Sequence, residues 1–352
     1  MNEEPALDAP SRALAEPAAA PALISGFLAA VDADPMLRAS MDGLQRLIAL
    51  GPQLDPAYAR NTQRAWVADM RIWMGYCLAT GTPVLPATLD GLRGFLEDGI
   101  ARGRKRATLN RYLSTLATAH ELAELPWPLH TRSGKLMWQG LRKQLSKRQD
   151  QATGLTVERI EAVIAALDVR QLRDARDAAL LQLAWETMAR ASELVGFSTG
   201  DVSAEPDGTG RILIGRSKTD QEGEGALLNL SVACLARVRH WTALAGLEEG
   251  PLFRSVPYRK NQLAGGPLSE RDVSRIFRRL VGRAELGLEK ISAHSTRVGA
   301  AQDLLAADYA LPRIMQQGRW KTPRMVLHYG ERIDAGRSAM ADFTSKRRKR
   351  DE

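Results

Sequence analysis

Only one short region of this 352-residue chain alternates at the period of a β-strand. Arg211-Ile-Leu-Ile214 and Ala226-Leu-Leu-Asn-Leu230 flank a polar turn, which reads as two antiparallel strands. With Val195 to Val202 as a third strand they form a small sheet. Almost every other apolar pattern recurs at helical spacing. The fold class that follows is mainly α with a small antiparallel β-sheet. Helices are predicted over Asn61–Cys77, where Trp66, Met70, Trp73 and Cys77 share a stripe, and over Leu89–Ile100. Others follow at Arg106–Leu122, with Leu109, Tyr112, Leu113 and Leu116 inward, and at Leu136–Lys147. Further along come Arg173–Leu194, 230–246, 268–284, 296–307, 311–317 and 323–329.

The segment from Lys147 to Gly154 has no apolar anchor and divides the chain. The expected organisation is an Ala- and Pro-rich disordered arm over 1–22, a helical domain over 23–147 and a linker over 148–154. A second domain over 155–343 opens with Thr156 as a helix cap, and a basic tail covers 344–352. The chain is long enough for two cores.

Net charge is +8, but residues 1–60 hold eight acids and four bases, a net of −4, which leaves +12 for the other 292. That excess suits a polyanionic partner. Cys77 and Cys234 lie in apolar helical patterns, away from metal-ligand spacing and from any disulfide framework. No apolar run is long enough to span a bilayer. The acidic N-terminus lacks the basic start of a signal peptide. A reducing intracellular compartment is therefore expected.

Arg190 and Glu193 interrupt the apolar run Leu180–Leu194. An unpaired charge there is costly, so either the two pair at i, i+3 or Arg190 grips an anion. His294 and Arg297 lie one turn apart near a helix start at Ser295, where an anion is favoured. Trp320 and Tyr329 follow. A phenol with a pKa of about 10 needs cationic neighbours to attack at neutral pH. Lys218 sits in the turn between the two strands, either solvated or reaching toward a ligand. Nothing in the pattern asks for a metal or other cofactor.

In order, Arg190-Ala-Ser-Glu193, Gly215-Arg-Ser-Lys218-Thr, Ser292-Ala-His-Ser-Thr-Arg-Val-Gly299 and Gly318-Arg-Trp320 up to Tyr329 resemble the tyrosine recombinase (phage integrase) family. The resemblance covers roughly 58–343, with Trp320 where most of the family has histidine. It implies a C-shaped two-domain clamp on duplex DNA and a site-specific recombinase that works through a 3′-phosphotyrosyl intermediate and a Holliday junction. Tyr329 would be the nucleophile, Arg190 and Arg297 the phosphate clamp, and His294 a base or phosphate donor. Trp320 would donate its indole N–H, Lys218 would act as the acid, and Glu193 would buttress the site. Gln63, Arg64, Arg106, Asn110 and Arg111 lie on helices that resemble the family's major-groove helices. Arg271 matches a base-reading arginine, and Arg142, Lys143, Lys147 and Arg148 would touch phosphates.

The apolar face of 331–343, through Ala335, Ala339, Met340 and Phe343, would dock into a neighbouring subunit of a homotetramer on two DNA sites, or else in cis. The implied setting is a bacterial cytoplasm, at the nucleoid. Two other readings remain at this point: a type IB topoisomerase-like nicking-closing enzyme, and a DNA-binding protein without catalysis.

Overall fold

The computed structural model describes residues 43, 45–50, 58–146, 151–215, 225–257, 262–264, 266–336, 340, 343, 344 and 347. The chain divides into two compact units, residues 1–149 and 150–352.

The first unit is built from α1 (Arg60–Thr80), α2 (Leu89–Ala101), α3 (Arg106–Leu122) and α4 (Arg132–Leu141). The predicted stripe turns inward at Trp73 and Cys77, which are fully buried among Leu92, Phe95, Leu109, Tyr112 and Leu116, while Trp66 and Met70 are half-buried. Trp73 meets Phe95 edge to face at 5.1 Å and donates its indole N–H to the Val84 carbonyl at 2.9 Å. His120 is buried and receives the Ala87 N–H on Nε2 at 2.9 Å, so its proton sits on Nδ1, 2.7 Å from the Leu116 carbonyl. Burial keeps that imidazole neutral by lowering its pKa. Asp69, also buried, accepts from both Arg111 and Thr115 and ties α1 to α3.

Helix α4 starts four residues before the predicted Leu136. Its first turn, Arg132-Ser-Gly-Lys135, has no apolar residue to signal it; it is set instead by the Thr131 hydroxyl, which accepts the Gly134 N–H at 3.0 Å. Gly134 is required because a Cβ there would lie 2.2 Å from the Pro128 carbonyl. The helix ends at Leu141 in a 3₁₀ turn over Arg142–Gln144, and Lys147 lies outside the described residues.

The second unit contains α5 (Val157–Ala165), α6 (Leu172–Glu186), α7 (Ala191–Gly196) and the strands β1 (Val202–Ala204), β2 (Gly210–Ile214) and β3 (Ala226–Leu230). Then come α8 (Val232–Leu244), α9 (Glu270–Arg283), α10 (Ser295–Ala306), α11 (Leu311–Gly318) and α12 (Arg324–Gly336). The sheet is antiparallel in the order β1-β2-β3, with Ile212 opposite Leu228 and Leu213 opposite Leu227. Along β2 the residues alternate buried and exposed, as the sequence predicted. The third strand is Val202–Ala204 rather than Val195–Val202. Residues 195 and 196 finish α7, and 199–201 form a 3₁₀ turn in which Asp201 caps the Ser198 N–H at 2.7 Å.

Three other expectations are corrected. Arg173–Leu194 is not one helix. It breaks after Glu186, and Met188 takes a left-handed φ of +48°. Tyr329 does not end its helix but lies inside α12. Thr156 precedes α5 as predicted, yet its side chain makes no cap bond. The Asp303 carboxylate accepts the Val157 N–H instead, at 2.9 Å, and the Trp185 indole N–H at 2.8 Å. Asp177, buried on α6, pairs with its neighbour Arg176 and with Arg279 of α9, and the second of these pairs fastens the two helices. Cys77 and Cys234 are buried free thiols whose pKa values burial pushes up.

Candidate active site

The break after α6 positions Arg190. Left-handed Met188 turns the chain, and Arg190 becomes the residue before α7, with extended backbone at φ −75° and ψ 159°. Its N–H donates to Glu193 Oε2 at 2.8 Å, and its Nη1 donates to Oε1 at 2.7 Å. Arg190 stays partly open to solvent while Glu193 is buried. The intrahelical pair and the anion grip, alternatives in the sequence, are therefore compatible: Glu193 uses one N–H group of the guanidinium and leaves the others.

Arg297 comes from the first turn of α10 and is 1% exposed. It donates Nη1 to the Met188 carbonyl and Nη2 to the Gly318 carbonyl. Its guanidinium lies 4.5 Å over the Trp320 ring. Burial first, then the charges of Arg190 and Arg319, push its pKa down to about 9. It remains a cation at neutral pH, buried and short of anions. Gly318 is needed beneath it, since a Cβ there would meet the Trp320 ring at 2.3 Å.

Trp320 in turn packs edge to face on Tyr329, with ring centroids 5.7 Å apart. Tyr329 is 3% exposed, and its hydroxyl lies 2.5 Å from His294 Nε2. Burial raises the phenol's pKa against the lowering pull of Arg297 and Arg190, so it is protonated at neutral pH. His294 is pushed down to about 4 by the protein packed around it and then by Arg297 and Arg190. One side of the residue faces solvent, which softens the effect. The imidazole is neutral, and its Nε2 can take the phenolic proton. Its loop is held by the Ala293 N–H on Ser274 Oγ at 3.0 Å.

Arg190, Glu193, His294, Arg297, Trp320 and Tyr329 thus form one connected cluster, from elements up to 139 residues apart in sequence. Lys218 lies outside the described residues. The arrangement is a cationic cradle beside a phenol in contact with a neutral imidazole. Among the described residues no cluster of His, Cys, Asp and Glu could hold a metal ion.

A model of the phage integrase family matches residues 154–334. The chain belongs to that family. It is 28% identical over 302 residues to the Cre recombinase of Escherichia phage P1, covering 81% of this chain and 88% of Cre. To an integrase/recombinase XerD homolog of Selenomonas ruminantium it is 27% identical over 288 residues, covering 79% and 84%. Its fold is similar to that of the Tn1549 transposon integrase, solved with circular intermediate DNA, at a TM-score of 0.59 and 16% identity over 82% of this chain and 94% of that one. It is also similar in fold to the lambda integrase dimer bound to a core site, at a TM-score of 0.58 and 18% identity over 86% and 78%.

The groove candidates vary in what they can offer. Arg64, Asn110, Lys143 and Arg271 are exposed; Gln63, Arg106 and Arg142 are half-buried. The Gln63 amide already donates to the Tyr58 carbonyl at 2.8 Å. Arg111 gives two N–H groups to Asp69, so its first task is to join α1 to α3, and only its exposed remainder can face a ligand. Lys147 and Arg148 lie outside the described residues.

Sequence reasoning missed two further features. Arg275 and Arg278 line a groove with Arg271, Ser274 and Ala191, the neighbour of Arg190. The spacing 271, 275, 278 along one helix face was the available signal. Arg319 donates to Glu193 Oε2 at 2.7 Å from 126 residues away, and no local pattern announces it.

Proposed function

We propose that this protein is a site-specific DNA recombinase that cuts and rejoins duplex DNA through Tyr329. The observation that carries the reading is the Tyr329 hydroxyl, 2.5 Å from a neutral His294 and walled by Arg297, Arg190 and Trp320. Tyr329 Oη attacks the scissile phosphorus, and its proton passes to His294 Nε2. A 3′-phosphotyrosyl bond forms as the bond to the 5′-oxygen breaks. Arg190 and Arg297 hold the nonbridging oxygens as charge builds, and Trp320 shapes the cradle beside them. Lys218 gives the leaving 5′-oxygen its proton. A 5′-hydroxyl from a partner strand then reverses the step, and a second round resolves the resulting junction. The phosphotyrosyl bond conserves the energy of the one it replaces, so the scheme calls for no cofactor or nucleotide.

Duplex DNA bearing inverted repeats is the partner. Arg271, Arg275 and Arg278 supply groove and phosphate contacts in the second unit; Gln63, Arg64, Arg106, Asn110, Arg142 and Lys143 do so in the first. Four copies assemble on two sites. Support for trans docking comes from Met340 and Phe343, which lie past the nucleophile helix 67% and 59% exposed and present apolar surface to a second copy. The setting is the nucleoid of a bacterial cytoplasm. No helix among the described residues is long and apolar enough to cross a membrane.

The test uses a nicked duplex selected by the protein from a random pool. The wild-type chain is expected to form a covalent adduct that survives denaturation. Tyr329→Phe should bind the same duplex equally well and form none. An adduct formed by Tyr329→Phe would remove Tyr329 from this role.

A further inference from the structure

Arg319 sits where an arginine is costly. Its backbone is left-handed, φ +53° and ψ 46°, a region that strains any residue with a Cβ. Its side chain is 11% exposed, and its buried Nε–H has no acceptor in the structure. Burial lowers its pKa even with Glu193 beside it. A left-handed arginine, a buried charge and an orphan donor at one residue mark strain held in place by the surrounding structure, and such strain concentrates at functional sites.

The contacts show what the strain achieves. Arg319 Nη1 donates to the Thr187 carbonyl at 3.0 Å, and Nη2 donates to the Met188 carbonyl at 3.3 Å and to Glu193 Oε2 at 2.7 Å. Glu193 Oε2 also accepts the Arg190 N–H at 2.8 Å. That oxygen is fully used, so Glu193 can reach the Arg190 side chain only through Oε1, at 2.7 Å. A carboxylate with both oxygens available would take a guanidinium two-pronged and consume the face that a phosphate needs. Arg319 prevents this. It also shares the single charge of Glu193, so Arg190, Arg297 and Arg319 together outweigh it by two positive charges. And it grips the same Met188 turn that Arg297 grips.

We propose that Arg319 is a positioning residue for strand transfer: it occupies Oε2 of Glu193, so that Arg190 is held by Oε1 alone and presents the rest of its guanidinium to the scissile phosphate. This role rests on the strand-transfer reading above and adds a residue to it.

The test compares Arg319→Gly and Arg319→Lys on the nicked duplex that the wild-type chain cleaves. Glycine relieves the left-handed backbone, so Arg319→Gly keeps the fold while removing the guanidinium, and its melting temperature checks this. Single-turnover adduct formation should fall on the order of 10–100-fold, the scale of losing a group that orients a functional side chain, with duplex affinity unchanged. The acid side of its rate profile should move to higher pH, because Glu193 has lost a cation and protonates more readily. Arg319→Lys restores the charge without the planar fork, so it should return the acid side toward wild type while recovering only part of the rate. In a Glu193→Gln background, Arg319→Gly should cost nothing further. Wild-type cleavage by Arg319→Gly overturns the proposal. So does the same loss persisting in the Glu193→Gln background with an unmoved acid side, which would make Arg319 a scaffold or a direct DNA contact. A wild-type chain that forms no adduct would overturn the strand-transfer reading itself, and this role with it.

Discussion

Replacing Arg297 by methionine should leave the folded protein about as stable as before and abolish strand cleavage. Arg297 is 1% exposed, and burial pushes its pKa far below the usual guanidinium range, to about 9. Because the group is a base with a depressed folded pKa, the penalty is fully present at every pH below about 9. At 1.36 kcal/mol per pKa unit, keeping it charged costs about 5 kcal/mol. Against this stand its bonds to the Met188 and Gly318 carbonyls, worth about 1.5–3 kcal/mol each for a charged donor. Methionine fills much of the same volume over Trp320, relieves the buried charge and loses both bonds. The two sides nearly cancel, and a net change within about 2 kcal/mol is expected. Arg297→Ala lacks that filling and should lose about 2–5 kcal/mol, as large-to-small core substitutions do. Cleavage should fall by at least about 10²–10³ in either variant. Urea unfolding of the full chain would be read alongside covalent adduct yield on the nicked duplex. A loss of about 4 kcal/mol or more in Arg297→Met would mean that the carbonyl bonds dominate and that Arg297 is a structural strut rather than a cation stored for the phosphate.

Three other outcomes follow from the same geometry. The His294 ring should stay neutral well below pH 6.5 in the free protein, and its contribution to stability should be lost as pH falls from about 6.5 toward 4, because the unfolded chain binds the proton first; an imidazole resonance titrating near 6.5 would contradict the assignment. Gly299→Ala should destabilise the second unit by at least about 1–3 kcal/mol, since its Cβ would fall 1.9 Å from the Leu155 carbonyl, whereas Gly282→Ala, with open space around it on α9, should stabilise by about 0.5–1 kcal/mol; equal melting curves would refute that close approach. Truncation after Gly330 should spare binding to a single half-site and weaken cooperative assembly on two full sites; unchanged cooperativity in titrations would place the apolar face of 331–343 in cis.

The sequence by itself determined the helical spacing and the pairing of β2 with β3. Trp73, Cys77, Leu109, Tyr112 and Leu116 point inward as their period requires, and β2 alternates residue by residue. These are local facts, because the period of burial is set by backbone geometry that each segment carries alone. The sequence also presented Arg190, Glu193, His294, Arg297, Trp320 and Tyr329 as a set, through their order and local words. It did not show how Arg190 is aimed. The apolar run Leu180–Leu194 reads as one helix, and nothing within it predicts a left-handed Met188. That turn is held by Arg297 and Arg319, whose guanidiniums donate to the Met188 carbonyl from 109 and 131 residues away. The cap of α5 comes likewise from Asp303, not from Thr156. Where a break or a cap is fixed by a distant donor, only the tertiary structure decides it, because the stabilising bond does not exist until the two segments meet.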